Sequence, residues 1–259
     1  MKDEKTLAYI NMYGILGALQ DLCAVAPDAA RLAGLGDALK PVRVCLAVKN
    51  GPALTLVFGG GVCTAIEGAA PCDILLPFGT FAKFNGLIEG TVTPFPRKGF
   101  SKISFLTKNF TALTGLLETC LRPNPEALAD ETFFRASTTI MFFLIARTLV
   151  QIGNFDPVGR FTRSNLAPGT VVLSIADGDR PPLRAAVIAA EDGLRFSREI
   201  PQSPHAVMEF SSIRLARDLF DGKVSALGSV GQGLIRMTGN LGMLDNINRM
   251  LDRVAVYLA

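Results

Sequence analysis

The chain of 259 residues has no tryptophan, three tyrosines and a single histidine, His205. So little Trp and Tyr disfavours an aromatic cage around a cationic ligand and an interfacial anchor of the Trp/Tyr kind. One histidine cannot build a zinc site, which takes three or four ligands, and no C-x-x-C spacing supplies the rest. Charged residues make up only 19% of the chain and the net charge is +3, too small an excess to imply a nucleic-acid partner. Long apolar runs are missing too. The most apolar stretch, residues 138–153, contains Arg147, and its uninterrupted run is far shorter than the roughly 20 residues a bilayer needs. It reads as a buried helix.

Catalytic signatures are equally scarce. G-x-S-x-G is absent, and Gly228-Ser229-Val230-Gly231 departs from it and falls in a stretch that reads as a loop. Gly59-Gly60-Gly61 lacks the spacing of a phosphate-cradling loop and reads as a turn. The acidic pairs Glu191-Asp192 and Asp177/Asp179 sit where such residues form turns. His205 reads as structural or solvated, so neither catalysis, a metal nor a cofactor is expected. The N-terminal Met1-Lys2-Asp3-Glu4-Lys5 lacks the pattern of a signal peptide, and a cytoplasmic protein is expected. All five cysteines (Cys23, Cys45, Cys63, Cys72, Cys120) lie in the first half and read as buried free thiols.

What the chain does have is internal similarity. Residues 73–90 align without a gap on 205–222, placing Phe78 on Phe210, Phe81 on Ile213, Leu87 on Leu219 and Gly90 on Gly222. The same register places Gly99 on Gly231 and Ile103 on Ile235, and Asp73 opposite His205. With a small slip, Ile15, Leu19 and Pro27 meet Ile145, Leu149 and Pro157. A repeat of about 130 residues is too long for a solenoid unit and suits two whole domains. Residues 1–122 and 131–259 are therefore read as two copies of one domain, with 123–130, around Arg122-Pro123-Asn124-Pro125-Glu126, as the linker.

Each copy carries the same pattern. Leu7, Ile10, Ile15, Leu16, Leu19 and Leu22 follow a helical period, and Pro27 suits the first turn of a second helix. Val42–Val48 and Ala53–Phe58 flank the turn Asn50-Gly51-Pro52, as Val171–Ile175 and Leu183–Ile188 flank Asp177-Gly178-Asp179. Two further strands, a short helix ending at Gly90 or Gly222, a last strand (Lys102–Leu106 or Leu234–Thr238) and a closing helix complete an α-α-β-β-β-β-α-β-α order. That is an α+β layout. Arg97, Lys98, Lys102 and Lys108 form the densest basic patch. It reads either as a solvated strand face or as a landing site for an acidic headgroup, a CoA phosphate or an anionic membrane surface.

The second copy resembles the sterol carrier protein 2 (SCP-2) family. The residues that carry this are Leu219-Phe220-Asp221-Gly222-Lys223, then Gly231 through Gly239-Asn240, then a closing helix with Leu244, Ile247, Met250 and Leu251. The first copy departs from the pattern in lacking the glycine that Gly239 supplies after the last strand. The resemblance implies two similar domains, each with a largely antiparallel five-stranded sheet covered by helices. It also implies an apolar tunnel between sheet and helices for a sterol, fatty acid, phospholipid or acyl-CoA, without catalysis.

Candidate lining residues are the large apolar side chains of the short helix, last strand and closing helix. They are Phe81, Phe84, Phe100, Phe105, Leu116 and Leu117 in the first copy, and Leu219, Met237, Met243, Ile247, Met250 and Leu251 in the second. The partner expected is a lipid or another hydrophobic small molecule, with transient membrane contact, and the apolar excess leaves room for a homodimer contact. The competing reading is a scaffold whose domains have filled their tunnels with side chains.

Overall fold

Residues 2–33 and 40–258 are described by a computed structural model, and their contacts divide the chain into two units, residues 2–140 and 141–258.

In the first unit Asp3 caps the opening helix α1 (Glu4–Tyr9), its carboxylate accepting the Thr6 N–H at 2.8 Å. The helical path continues through a π-helical turn, Ile10–Ile15, and a 3₁₀ turn, Leu16–Ala18, into α2 (Leu19–Val25) and α3 (Pro27–Ala33). Strands β1 (Val42–Val48), β2 (Ala53–Gly59) and β3 (Val62–Glu67) form a meander, and β4 (Ile74–Phe78) lies parallel to β1. The sheet order is β3-β2-β1-β4. Asn50, at φ 55°, makes the first hairpin, as its local side chain tolerates the left-handed region. The glycine triplet is the next turn, with Gly60 and Gly61 both at positive φ.

Helix α4 (Phe81–Ile88) begins where Thr80 Oγ1 accepts the Lys83 N–H, and α5 (Thr111–Leu121) closes the unit. Val44, Leu46, Leu54, Leu56, Phe58, Ile74 and Leu76 line one sheet face, all at most 1% exposed, beneath Ala8, Met12, Leu19 and Leu22 of the helical layer. Burying each such side chain contributes roughly 1.5–3 kcal/mol.

The boundary between the units falls within α6 (Glu131–Phe155). This helix is long and apolar enough to cross a membrane by length and composition, but 72% of its most apolar stretch is buried in the fold. In the second unit, α7 (Pro157–Arg163) follows, then β5 (Gly169–Asp177), β6 (Arg180–Ala190), β7 (Gly193–Ser197) and β8 (Ala206–Phe210). Helix α8 (Ile213–Phe220) is capped by Ser212 as α4 is by Thr80. A one-turn helix α9 (Ala226–Gly231), capped by Ser225, occupies the stretch expected to be a loop. Strand β9 (Ile235–Gly239) and helix α10 (Leu241–Leu258) complete an order β7-β6-β5-β8-β9. The fold is α+β, with one sheet of four strands and one of five, each covered by helices.

The missing fifth strand is the one marked departure from the expected pattern. Lys102–Leu106 is not a strand: it spans the end of a 3₁₀ turn, Phe100–Lys102, and the start of a π-helical turn, Phe105–Phe110, that leads into α5. The glycine contacts correct the ungapped register. A Cβ on Gly99 would sit 2.5 Å from the Asp73 carbonyl oxygen and 2.9 Å from Ile74 Cα; one on Gly239 would sit 2.3 Å from the His205 oxygen and 2.9 Å from Ala206 Cα. Gly99 thus occupies the place of Gly239, not of Gly231. The strand pairing agrees. Leu75 bridges Lys98 just before Gly99, as Val207 pairs with Thr238 just before Gly239. Gly90 to Gly99 spans nine positions, and Gly222 to Gly239 spans seventeen. The shorter connection leaves room for a single bridge where the second unit builds a strand.

Candidate functional site

In the second unit the last strand and the closing helix are set by two adjacent residues. Gly239, at φ 88°, passes so close to the His205 carbonyl that any side chain would collide. Asn240 then caps α10, its Oδ1 accepting the Met243 N–H at 3.1 Å. From this start Met243, Leu244, Ile247, Met250, Val254 and Tyr257 form a buried stripe at helical spacing. Helix α10 packs on β8, β9 and α7. The sheet face that is buried carries Ala206, Met208 and Phe210 on β8, with Met208 paired across to Met237 on β9.

Of the expected lining residues here, Met243, Ile247 and Met250 are at most 2% exposed, while Leu219, Met237 and Leu251 are half-buried. Met250 also reaches α6: its sulfur lies 3.1 Å from where a Cβ would stand on Gly153, and Leu194 Cδ1 lies 2.3 Å from that point. The absence of a side chain at Gly153 is what lets α6, β7 and α10 meet. Three of the six therefore share the buried stripe of α10, and Met237 faces Met208 on the sheet.

A polar anchor that the sequence reading missed fixes the far end of α10. Asp156 is 1% exposed, caps α7 through the Gly159 N–H at 2.8 Å, and accepts from Arg253 Nη2 at 2.8 Å and Tyr257 Oη at 2.7 Å. Burial pushes its pKa up, but the hydrogen bonds from Arg253, Gly159 and Tyr257 outweigh this and hold it below the ordinary carboxylate value. The signal was present as Asp156-Pro157, a cap followed by proline. Asn154 was also missed. Its side chain takes the Leu194 N–H and donates to the Leu194 carbonyl, both at 2.8 Å, and so acts as a short extra strand edge beside β7.

In the first unit the expected residues separate. Phe84 is fully buried and meets Phe78 edge-on with ring centroids 5.2 Å apart. Phe105 packs on Phe58 at 5.3 Å, and Phe58 meets Phe110 at 6.2 Å. Leu117 is buried, and Phe81 and Leu116 are half-buried against the same cluster. Phe100 stands apart, 56% exposed against Phe95.

His205 has a backbone task. Its Nδ1 accepts the Thr170 N–H at 3.1 Å while its own N–H donates to the Thr170 carbonyl at 2.9 Å. Asp73 does the same with Arg43, its carboxylate taking the N–H at 2.8 Å and its N–H donating at 2.9 Å. The imidazole and the carboxylate thus play one structural part at the entry of β8 and β4. Among the described residues no group of three or more His, Cys, Asp or Glu could hold a metal ion. The cysteines are free; Cys72 is half-exposed and the other four are buried. Cys63 is pushed up by its hydrogen bond with Cys23 and by burial, and burial pushes Cys120 up to about 11.

No family model matches the sequence, and no curated protein does. Among solved structures the chain is similar to the sterol carrier protein domain 2 of Helicoverpa armigera, at 16% identity and TM-score 0.37 over 46% of this chain and 89% of that one. It is similar to apo sterol carrier protein 2 of Yarrowia lipolytica at 17% identity and TM-score 0.30, over 41% of this chain and 90% of that one. The ubiquinone synthesis protein UbiJ-SCP2 matches at 15% identity and TM-score 0.32, over 47% of this chain and 98% of that one.

Proposed function

We propose that this is a non-catalytic, cytoplasmic lipid-binding or lipid-transfer protein of the SCP-2 type, built by tandem duplication. The second unit takes a fatty acid, acyl-CoA, sterol or phospholipid between α10 and the sheet. The observation that carries this reading is the apolar seam formed by Met243, Ile247 and Met250 on α10 with Met208 and Met237 on the facing strands. Unbranched, polarizable methionines can repack around acyl chains of different shape. Duplication is supported by the common strand order, the matched caps Thr80 and Ser212, and the matched glycines Gly99 and Gly239.

A second reading has support in the first unit. There Phe58, Phe105 and Phe110 pack ring against ring between the sheet and the closing helix, the kind of filling expected of a domain that serves as a scaffold. The test is native mass spectrometry of the freshly purified protein, followed by organic extraction and identification of what is released. One bound amphiphile per chain is expected. A ligand-free protein that takes up no fatty acid, sterol or acyl-CoA would leave the scaffold reading for both units.

A further inference from the structure

We propose that the segment joining α4 to α5 in the first unit docks on the surface of an anionic lipid bilayer. Residues 91–110 contain Arg97, Lys98, Lys102 and Lys108 and no acidic residue, so this stretch alone carries +4 where the whole chain carries +3. The same stretch holds two phenylalanines that the fold leaves outside. Phe95 is 76% and Phe100 56% exposed, and they pack edge-on to each other at 5.9 Å, with Ile103 also exposed. Exposed apolar groups clustered in this way mark interaction surfaces.

The segment is held in place from beneath. The Arg97 N–H donates to the Leu75 carbonyl at 2.8 Å, Lys98 Nζ donates to the Cys72 carbonyl at 2.8 Å, and Lys102 pairs with Asp73 at 3.0 Å. The rings are therefore presented on a fixed base, with Arg97 and Lys108 exposed. A soluble polyphosphate would call for converging cations and has no use for two protruding rings. A bilayer uses both: cations meet anionic headgroups while the rings enter the headgroup and acyl boundary.

The second unit supplies an internal control. Its corresponding connection also exposes Leu227, at 83%, but there Lys223 is paired with Asp221 at 2.9 Å and lies 4.0 Å from Asp218. It offers apolar surface with a smaller surplus: residues 223–240 carry two cations, Lys223 and Arg236, against four in 91–110, and Lys223 is neutralised by these aspartates. The docking proposal does not depend on the carrier reading.

The experiment is co-sedimentation of the full chain with phosphatidylcholine vesicles and with vesicles of phosphatidylcholine and phosphatidylglycerol. Binding is expected to the second kind only, and to disappear at high salt. Arg97→Ala with Lys108→Ala should weaken it roughly 25-fold, at about fivefold per cation. Phe95→Ser with Phe100→Ser should weaken it at least about tenfold, whereas Leu227→Ser should leave it unchanged. Circular dichroism melting should be unaltered in all three, because every changed side chain is exposed. Equal binding to neutral vesicles, no binding to anionic ones, displacement by free coenzyme A, or wild-type binding by either double variant would overturn the proposal. Uptake of a fluorescent fatty acid from solution, measured in parallel, tests the carrier reading separately. Its failure alongside intact vesicle binding retains the docking site and removes only the carrier.

Discussion

The two units share a strand order and differ in how they finish it. In the second, a seventeen-position connection from Gly222 leaves room for α9 and a five-residue edge strand, β9, before Gly239 and Asn240 launch α10 across the sheet. In the first, nine positions after Gly90 the chain has already reached Gly99, and the strand is reduced to the bridge between Leu75 and Lys98. The closing helix therefore starts early, through 3₁₀ and π-helical turns, and brings Phe105 and Phe110 onto Phe58. A change of eight residues in one loop thus separates a methionine-bearing seam from a phenylalanine-packed one. Loop length tolerates change because closure entropy grows slowly with it, while strand pairing requires enough chain to lie alongside its neighbour.

The largest expected break in this comparison is Met250→Asp. At 0% exposure, the new carboxylate would enter an apolar setting without a partner and cost at least about 4 kcal/mol. Urea denaturation should show the loss, and an unchanged midpoint would place Met250 outside the core.

Asp156→Ala should cost about 3 kcal/mol, because it strips the cap of α7 and leaves Arg253 and Tyr257 without their shared acceptor. Since the folded pKa of Asp156 is depressed, its contribution is fully present above the ordinary carboxylate pKa of about 4 and is lost as pH falls through the lower folded value. Asp156→Asn should therefore flatten the acid limb of the stability profile. An unaltered limb would assign acid sensitivity to other carboxylates.

The equivalence of the two closing turns is sharpened by three glycines. Gly99→Ala and Gly239→Ala should each destabilise by about 2–3 kcal/mol, since both combine a positive φ with a backbone collision. Gly231→Ala, with nothing within 4 Å, should be nearly silent. If thermal melts ranked Gly99 with Gly231 instead, the register corrected by these contacts would be wrong. Smaller effects than those of Gly99 and Gly239 belong to the paired strand entries: His205→Ala should cost no more than about 1 kcal/mol, the value of one hydrogen bond, and Asp73→Ala up to about 2 kcal/mol, since it also removes the ion pair with Lys102. Neither should change lipid uptake, and a large loss of uptake in His205→Ala would return the histidine to a binding role.

Local signals made much of this architecture readable. The apolar period of the opening helix, the alternation in β1 and β2, the Asn50-Gly51 turn and the stops at Gly90 and Gly222 depend on residues near one another in the chain. The stripe of α10 was readable for the same reason, and so were Met243, Ile247 and Met250 as a set. Phe100 was not, because helical and strand patterns both permit a phenylalanine there, and only the early start of the closing helix turns it outward.

What the sequence by itself determined was the α+β class, the order of elements apart from the last strand of the first unit and α9, and the apolar face of the helices and strands it placed, all set by spacing over a few residues. Only the tertiary structure decided that Lys102–Leu106 would be helical, that His205 and Asp73 would perform the same backbone task, and that Asp156 would gather Arg253 and Tyr257 from a hundred residues away. The physical reason is the same in each case. An edge strand, a side chain bonded to a neighbouring strand and a buried carboxylate all take their stability from partners distant in sequence, and those partners are chosen by packing.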